Sequence, residues 1–179
     1  MNRVPTSQAP IALTPAVLRE IGLFGALPEE VLIKLSDTLH VVEVSPGATL
    51  FKEGDDGRAM YVVLSGEIEV CKRSHRGTDA RVALLGPGDW FGEMSIVDVQ
   101  PRSASIRALA PASLLCMTTY DLDQLYRHDL KAYAIIILNM ARELSRRLRV
   151  ADGVLADLIA NVFDTIYSNR HRHIPNSEL

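Results

Sequence analysis

The first stretch of the chain carries apolar positions at helical spacing. Thr14 can cap a helix whose first position is Pro15. A second helix opens after Pro28, and Val31 and Leu35 fall on one side of it. The pattern therefore predicts a short helical lead-in before any strand.

From about Leu39 to Thr119 the pattern changes to short β-branched and aromatic runs, which Gly and Pro separate at regular intervals. The runs predicted to be strands are His40–Val44, Thr49–Phe51, Met60–Leu64, Glu67–Cys71, Arg81–Leu85, Ser105–Ala108 and Ser113–Met117. Strands of this length without intervening helices predict a mainly β fold, an antiparallel jelly-roll sandwich or barrel.

The last third returns to helical spacing. A short helix is predicted from Asp121 to Leu125, and a long one from Leu130 to about Tyr167. Its apolar positions alternate in steps of four and three, as in a heptad seam. They are Ile137, Ala141, Leu144, Leu148, Ala151, Leu155, Leu158 and Val162. Such a seam predicts a parallel homodimer through this helix, although a helix lying back along its own domain is the alternative.

The three patterns define the expected domain organisation. Residues 1–12 form a flexible N-terminus, 13–129 a jelly roll with its helical lead-in, 130–168 the dimerisation helix and 169–179 a disordered tail.

Composition and charge exclude several functional classes. The net charge of −3 and the pI of about 5.9 do not suit a dedicated nucleic-acid-binding protein. Cys71 and Cys116 form no C-x-x-C pattern and are expected to be small core residues, and no histidines cluster. We therefore expect no metal and no cofactor. Without a signal peptide or a membrane-spanning run, the protein is expected to be cytoplasmic.

The chemistry is concentrated between Gly88 and Ile106. Gly92 permits close approach of a ligand to the backbone. A helical turn that begins at Glu93 would present free N–H groups to an anion. Arg102 offers a planar charged fork that suits two phosphate oxygens, with serine hydroxyls beside it. Since the Glu93 carboxylate can accept from a sugar hydroxyl, the segment predicts a sugar phosphate as ligand.

This segment resembles the phosphate-binding cassette of cyclic-nucleotide-binding domains. The motif is Phe91-Gly92-Glu93-Met94-Ser95 followed by Pro101-Arg102-Ser103-Ala104-Ser105. The N-terminal run Ile21–Phe24 and the strand region from Gly54 to Glu67 are also similar to the family, so the resemblance covers nearly the whole chain. The family includes regulatory subunits of cAMP-dependent kinase, cyclic-nucleotide-gated channels and the catabolite activator protein.

The resemblance implies a role for each cassette position. Arg102 would bind the cyclic phosphate, Glu93 would accept the ribose 2′-hydroxyl, and backbone N–H groups would complete the cradle. Ser103 is compatible with either cAMP or cGMP as the ligand. The Ser105 hydroxyl either reaches the phosphate or has no role beyond its place in a strand. Phe91, like Trp90, is more in keeping with a core residue than with base stacking. The expected ligand-binding set is Phe91, Gly92, Glu93, Met94, Ser95, Arg102, Ser103, Ala104 and Ser105.

Two departures from the family pattern affect the expectation. Arg58 stands where many relatives carry an acidic residue that orients the phosphate-binding arginine, so either Asp55 or Asp56 substitutes or Arg102 is held differently. Ala151 and Asp152 fall where relatives supply a cap for the base. Direct DNA binding is not expected, because no recognition helix follows the long helix.

The sequence thus predicts a non-enzymatic sensor. It would bind cAMP more readily than cGMP, change conformation and signal to an unidentified protein partner. The alternative is an interaction module of the same fold that binds no cyclic mononucleotide, or that binds another ligand such as a cyclic dinucleotide. A metal-dependent jelly-roll enzyme is disfavoured, because His40 and His75 are isolated in the sequence.

Overall fold

The structure is a computed structural model that describes residues 11–74 and 77–171, with side chains through residue 163. The helices are α1 (Pro15–Glu20), α2 (Glu29–Thr38), α3 (Met94–Val97), α4 (Thr119–His128) and α5 (Leu130–His171). The strands are β1 (His40–Val44), β2 (Thr49–Phe51), β3 (Ala59–Ser65), β4 (Ile68–Arg73), β5 (Asp79–Leu85), β6 (Trp90–Phe91), β7 (Ser105–Ala108) and β8 (Ala112–Thr118). Most of the expected flexible N-terminus and of the expected disordered tail lies outside the described residues.

The helical lead-in forms as its sequence predicts. The Thr14 hydroxyl accepts a hydrogen bond from the Val17 N–H at 3.3 Å, and Pro15 opens α1. In α2 the buried positions include Val31 and Leu35. A 3₁₀ turn between these helices buries apolar side chains as well, so the lead-in packs as a small hydrophobic layer.

The strands form two four-stranded antiparallel sheets. Sheet A has the order β1-β8-β3-β6, and sheet B has the order β2-β7-β4-β5. Apolar side chains of both sheets, including Val63 and Leu114 of sheet A and Ile68 and Ile106 of sheet B, form one core cluster. The predicted antiparallel jelly roll with flanking helices is confirmed.

The two sheets differ in how their outer faces are covered. In β3 of sheet A, Met60 and Val62 lie on one face and Val63 on the other, and all three are buried. Because neighbouring strand residues point to opposite faces, both faces of this sheet are covered. In sheet B, by contrast, β5 contains only exposed and half-buried residues.

The sequence pattern missed one strand and misplaced one cysteine. Strand β6 is only two residues long, too short to show a period of two, and it pairs antiparallel with β3. Cys116 is buried in β8 as expected, whereas Cys71 is only half-buried in β4, because it lies on the open side of sheet B. Neither cysteine is in a disulfide.

Helix α5 crosses the division of the chain into two compact units, 1–139 and 140–179. Within the first unit, Ala132 and Ile136 are buried, and the Asn139 side-chain amide donates to the carbonyl oxygens of Leu23 and Gly25, both at 3.0 Å. The start of the helix is therefore fastened to the lead-in. The predicted seam position Ile137 is half-buried beside this packed face.

Beyond residue 140 the apolar side chains of α5 are largely exposed. Those that are more than one-third exposed are Leu148, Val150, Val154, Leu155, Leu158, Ile159, Val162 and Phe163. The helix begins at Leu130 as predicted and ends at His171, beyond the predicted end at about Tyr167, while its role in dimerisation and the domain boundaries stay predictions.

Candidate ligand-binding site

The segment that the sequence singles out runs from β6 through α3 and a loop into β7. This strand–helix–loop–strand arrangement brings Arg102 back beside Gly92, although ten positions separate them. The Arg102 Nη1 group donates to the Gly92 carbonyl oxygen at 3.2 Å. The fold therefore unites the two halves of the predicted motif.

The backbone of Arg102 is tied to the loop that follows β2. Its N–H donates to the Asp55 carbonyl oxygen at 2.8 Å, and its carbonyl accepts from the Gly54 N–H at 2.9 Å. Gly54 takes a positive φ of 89° in this loop. Two main-chain hydrogen bonds thus fix where the Arg102 side chain starts.

The Arg102 side chain turns into the protein and is 5% exposed. Its Nη1 group donates to the Ala59 carbonyl oxygen at 2.7 Å, in addition to Gly92. Its Cζ atom lies 3.9 Å from the centroid of the Phe51 ring, well within the range of a cation–π contact. The guanidinium is therefore held by carbonyl oxygens and an aromatic face.

Phe51 belongs to a cluster of three aromatic rings. Its centroid lies 6.3 Å from that of Tyr61 and 6.0 Å from that of Phe91. Tyr61 and Phe91 stack with centroids 5.5 Å apart. Phe91 is 4% exposed, so it is a core residue as expected and has no face open for a nucleotide base.

Two glycines leave the space that the guanidinium occupies. A Cβ atom on Gly57 would lie 2.4 Å from the Arg102 Nε, and one on Gly92 would lie 2.7 Å from Nη1. Gly92 also has a φ of +82°, which side chains rarely tolerate. The sequence predicted close approach of a ligand at Gly92, whereas in the structure the group that approaches it is Arg102.

The electrostatics of Arg102 are those of a buried cation. Burial lowers the pKa of its guanidinium, and nearby groups, among them Tyr61, Cys116, Asp55 and Glu93, act in the opposite direction. An arginine stays protonated at neutral pH despite such shifts. Among the described residues no carboxylate lies within 4 Å of it, and its Nε donates to no protein group. A buried cation without a carboxylate partner is suited to an anionic ligand.

The acidic residue that the family pattern leads one to expect is absent, and neither aspartate replaces it by a direct ion pair. The Asp55 carboxylate accepts from the Lys52 N–H at 2.8 Å and so caps its own turn. Arg58 offers its carbonyl oxygen to the Thr119 N–H at 2.9 Å. Of the two arrangements considered from the sequence, the structure has the second: Arg102 is held differently.

The remaining cassette residues divide into buried and accessible groups. Glu93 is 2% and Ser95 5% exposed, whereas Met94 is 50% exposed. The Ser103 hydroxyl donates to the Met94 sulfur at 3.4 Å, and the Ser103 carbonyl accepts from the Lys72 ammonium at 3.0 Å. Lys72 therefore joins the accessible side of the cassette, a contact that the sequence pattern did not predict.

Ser105 is used by the fold. Its hydroxyl accepts from the Glu53 N–H at 2.9 Å, which links the first residue of β7 to the loop after β2. This arrangement favours the structural alternative for that hydroxyl. Ala104 is half-buried between Ser103 and Ser105.

Arg102 also lines a cavity of about 630 Å³ at one end of the roll. The other lining residues are Leu50, Phe51, Asp55, Asp56, Arg58, Ala59, Tyr61, Thr118, Thr119 and Tyr120. Its volume is in the range of small-molecule sites. The sequence pattern marked Phe51 and Tyr61 only as strand residues, because nothing in a single sequence links position 51 to position 102.

Neither a metal-binding group nor a membrane-spanning helix is found among the described residues. These residues contain no group of three or more His, Cys, Asp and Glu side chains that could hold a metal ion. No helix among them combines the length and the apolar character that crossing a bilayer requires.

Comparison with known proteins gives consistent matches. The sequence profile of the cyclic nucleotide-binding domain matches residues 41–129. The chain is 32% identical over 143 residues to the CRP-like cAMP-activated global transcriptional regulator of Mycobacterium tuberculosis, covering 80% of this chain and 62% of the relative. It is 38% identical over 128 residues to the cyclic AMP receptor protein of Thermus thermophilus, covering 72% and 57%. The chain thus spans about 60% of the length of these relatives.

A solved structure shares the fold over most of its length. The N-terminal domain of a transcriptional regulator from Streptomyces coelicolor A3(2) superposes with a TM-score of 0.65 at 32% identity. The match covers 75% of this chain and 93% of that domain. The similarity therefore extends over most of that domain.

Proposed function

Since this chain belongs to the cyclic nucleotide-binding domain family, we propose that it is a sensor that binds cAMP in preference to cGMP and regulates a partner protein. Two relatives are named for cAMP, which supports the choice of nucleotide. One of these relatives is a transcriptional regulator by name and the other a receptor protein, and we propose a regulatory rather than a catalytic role for this chain, in the cytoplasm.

One observation carries the proposal. Arg102 is a buried guanidinium that touches no carboxylate among the described residues and whose Nη2 group makes no hydrogen bond to them. Both hydrogen bonds of its side chain come from Nη1, so the N–H donors of Nη2 are available to a ligand, whereas Nε is enclosed by protein. A phosphodiester anion would neutralise the charge and accept from these donors, and charge-assisted hydrogen bonds of this kind are strong.

The other cassette positions take complementary roles in the proposal. The buried carboxylate of Glu93 would accept the ribose 2′-hydroxyl, and backbone N–H groups at Gly92, Met94, Ser95 and Ser103 would complete the phosphate cradle. The exposed Met94 and the half-buried Ser103 are the cassette positions that solvent reaches, although neither lines the cavity beside Arg102.

For the output we propose a homodimer that forms through α5 and contacts a further protein. The helix carries exposed apolar residues at heptad spacing, such as Leu148, Leu155 and Leu158. Ligand binding would bias the cassette and the helices between two states. Couplings of this kind are typically about 1–3 kcal/mol, which sets the expected difference in affinity for the partner.

Calorimetric titration tests the proposal. The wild-type chain is expected to bind cAMP saturably and cGMP more weakly, whereas Arg102→Ala should bind cAMP about a hundredfold more weakly, because it loses charge-assisted hydrogen bonds to a phosphate. Arg102→Lys, which keeps the charge without the planar fork, should fall between them. Arg127→Ala is the matched control, since Arg127 is 65% exposed and pairs with Asp123 on α4.

Two results would contradict the proposal. Equal affinities of wild type and Arg102→Ala would mean that this arginine does not bind the phosphate. Absence of heat with both mononucleotides would support an interaction module, and a titration with a cyclic dinucleotide would then test the alternative ligand. Trp90 fluorescence checks that each variant is folded, because Trp90 is the single tryptophan and is 6% exposed.

A further inference from the structure

An arginine that binds phosphate has to be held in place before the ligand arrives. In this chain position 58 is an arginine, and among the described residues no carboxylate is within 4 Å of Arg102. The carbonyl oxygens of Ala59 and Gly92 fix only Nη1. Hydrogen bonds of a guanidinium lie in its plane, so these two leave its flat faces to be supported by other groups.

Phe51 provides a flat support at the required place. It is the last residue of β2 and pairs with Ile106 of β7, so its backbone is part of sheet B. Its ring is confined by Tyr61 and Phe91, and the Arg102 Cζ atom lies 3.9 Å from its centroid. A cation in this position is attracted by the negative face of the ring, and the attraction is greater where water is excluded.

We propose that Phe51 is a positioning residue for the phosphate-binding Arg102 and takes the place of an acidic side chain. The inference rests on the proposed function and adds a residue to the same site. It has a chemical consequence. A carboxylate would neutralise the guanidinium and accept from its N–H donors, whereas an aromatic face does neither. Phe51 thereby leaves the positive charge and the Nη2 donors for the ligand.

Substitutions of Phe51 distinguish the effect of its aromatic face from the effect of its apolar volume. Phe51→Leu keeps an apolar side chain without a π face and should raise the Kd for cAMP about tenfold, while Phe51→Tyr should stay within about twofold of wild type. Val44→Ala is the control for lost core packing, since Val44 belongs to the hydrophobic cluster against which Phe51 packs. It should lower stability and leave the Kd unchanged.

A double-mutant cycle supplies a readout that needs no nucleotide. The equilibrium constant of urea unfolding is measured for wild type, Phe51→Leu, Arg102→Ala and the double variant. If the ring and the cation attract each other, Phe51→Leu should change the unfolding constant less in the Arg102→Ala variant than in the wild type. The two changes should differ by a factor of about three to ten. The full chain is used throughout.

The outcomes separate this inference from the proposed function. If no nucleotide binds to the wild type while the cycle gives the expected coupling, the function is wrong and the support of Arg102 by Phe51 stands. If cAMP binds and Arg102→Ala weakens it, but Phe51→Leu binds like wild type, the positioning role is wrong. A coupling of zero in the cycle also overturns it, because the loss at Phe51 would then be packing alone.

Discussion

The β-roll and the second half of α5 differ in how far their apolar residues are buried. In β8 the residues from Ala112 to Met117 are all buried. On α5, the eight large apolar residues between Leu148 and Phe163 that are exposed range from 47% to 67% exposure. The roll thus buries its hydrophobic residues within the chain, whereas this part of the helix leaves them exposed.

The difference indicates where a second surface is needed. Exposed apolar residues on a helix that recur in steps of three and four form a stripe, and burying such a stripe is the main source of stability in coiled coils. The roll would be expected to fold independently of protein concentration. The helix would be expected to gain stability when a second copy covers it, as in the proposed dimer.

The largest expected effect comes from placing charge on this stripe. Leu155→Glu combined with Leu158→Glu removes two buried leucines from each protomer of the proposed dimer, which costs roughly 6 kcal/mol or more of association free energy. Sedimentation equilibrium should give a dimer mass for wild type and a monomer mass for the variant. The Trp90 fluorescence of the roll should not change.

The matched control places the same charges off the stripe. Ala156→Glu with Ala160→Glu adds two carboxylates to the same helix at positions that lie beside and opposite the heptad seam. This control should keep the dimer mass. If both double variants stay dimeric, or if wild type itself is monomeric at high concentration, the interface is not the α5 stripe.

A smaller but still large effect is expected inside the roll. Leu114 is 0% exposed in the core between the sheets, and truncation of such a leucine typically costs about 2.7–5 kcal/mol, because it leaves a cavity. Leu114→Ala should lower the free energy of unfolding by that amount in urea titrations followed by Trp90 fluorescence. The same change at Leu158, which is 59% exposed, should leave this transition within about 0.5 kcal/mol. Equal shifts would contradict the division between roll and helix.

Much of this fold could be predicted because local signals agree with it. Thr14 and Pro15 start a helix by themselves, and β1, β2 and β7 have the bounds that their sequence runs suggest. Strand β6 could not be predicted, since its two residues become a strand only by pairing with β3. The buried face in the first turns of α5 could not be predicted either. Ala132 and Ile136 are buried only because the folded chain packs against that side of the helix.

The site shows the same limit more sharply. The motif around Gly92 and Arg102 is local enough to be recognised in the sequence. Its supports are not, because the carbonyl oxygen of Ala59 has no side-chain signature and Phe51 looks like any strand aromatic. The open space at Gly57, which the Arg102 guanidinium fills, likewise exists only after the strands have paired.

The smallest predicted effect comes from replacing glycine by alanine, once in α5 and once in the β-roll. Gly153 lies in α5. Apart from the neighbouring helix backbone, no atom of the described residues is within 4 Å of the place that an alanine methyl group would take, so Gly153→Ala should stabilise the helix by about 0.5–1 kcal/mol through helix propensity. Thermal unfolding followed by circular dichroism at a fixed concentration measures this gain. In the roll, Gly66 has a φ of +93°, and its Cβ would lie 2.5 Å from the Pro111 carbonyl oxygen. Gly66→Ala should therefore destabilise, and a loss at Gly153 as well would mean that a partner surface already covers that position.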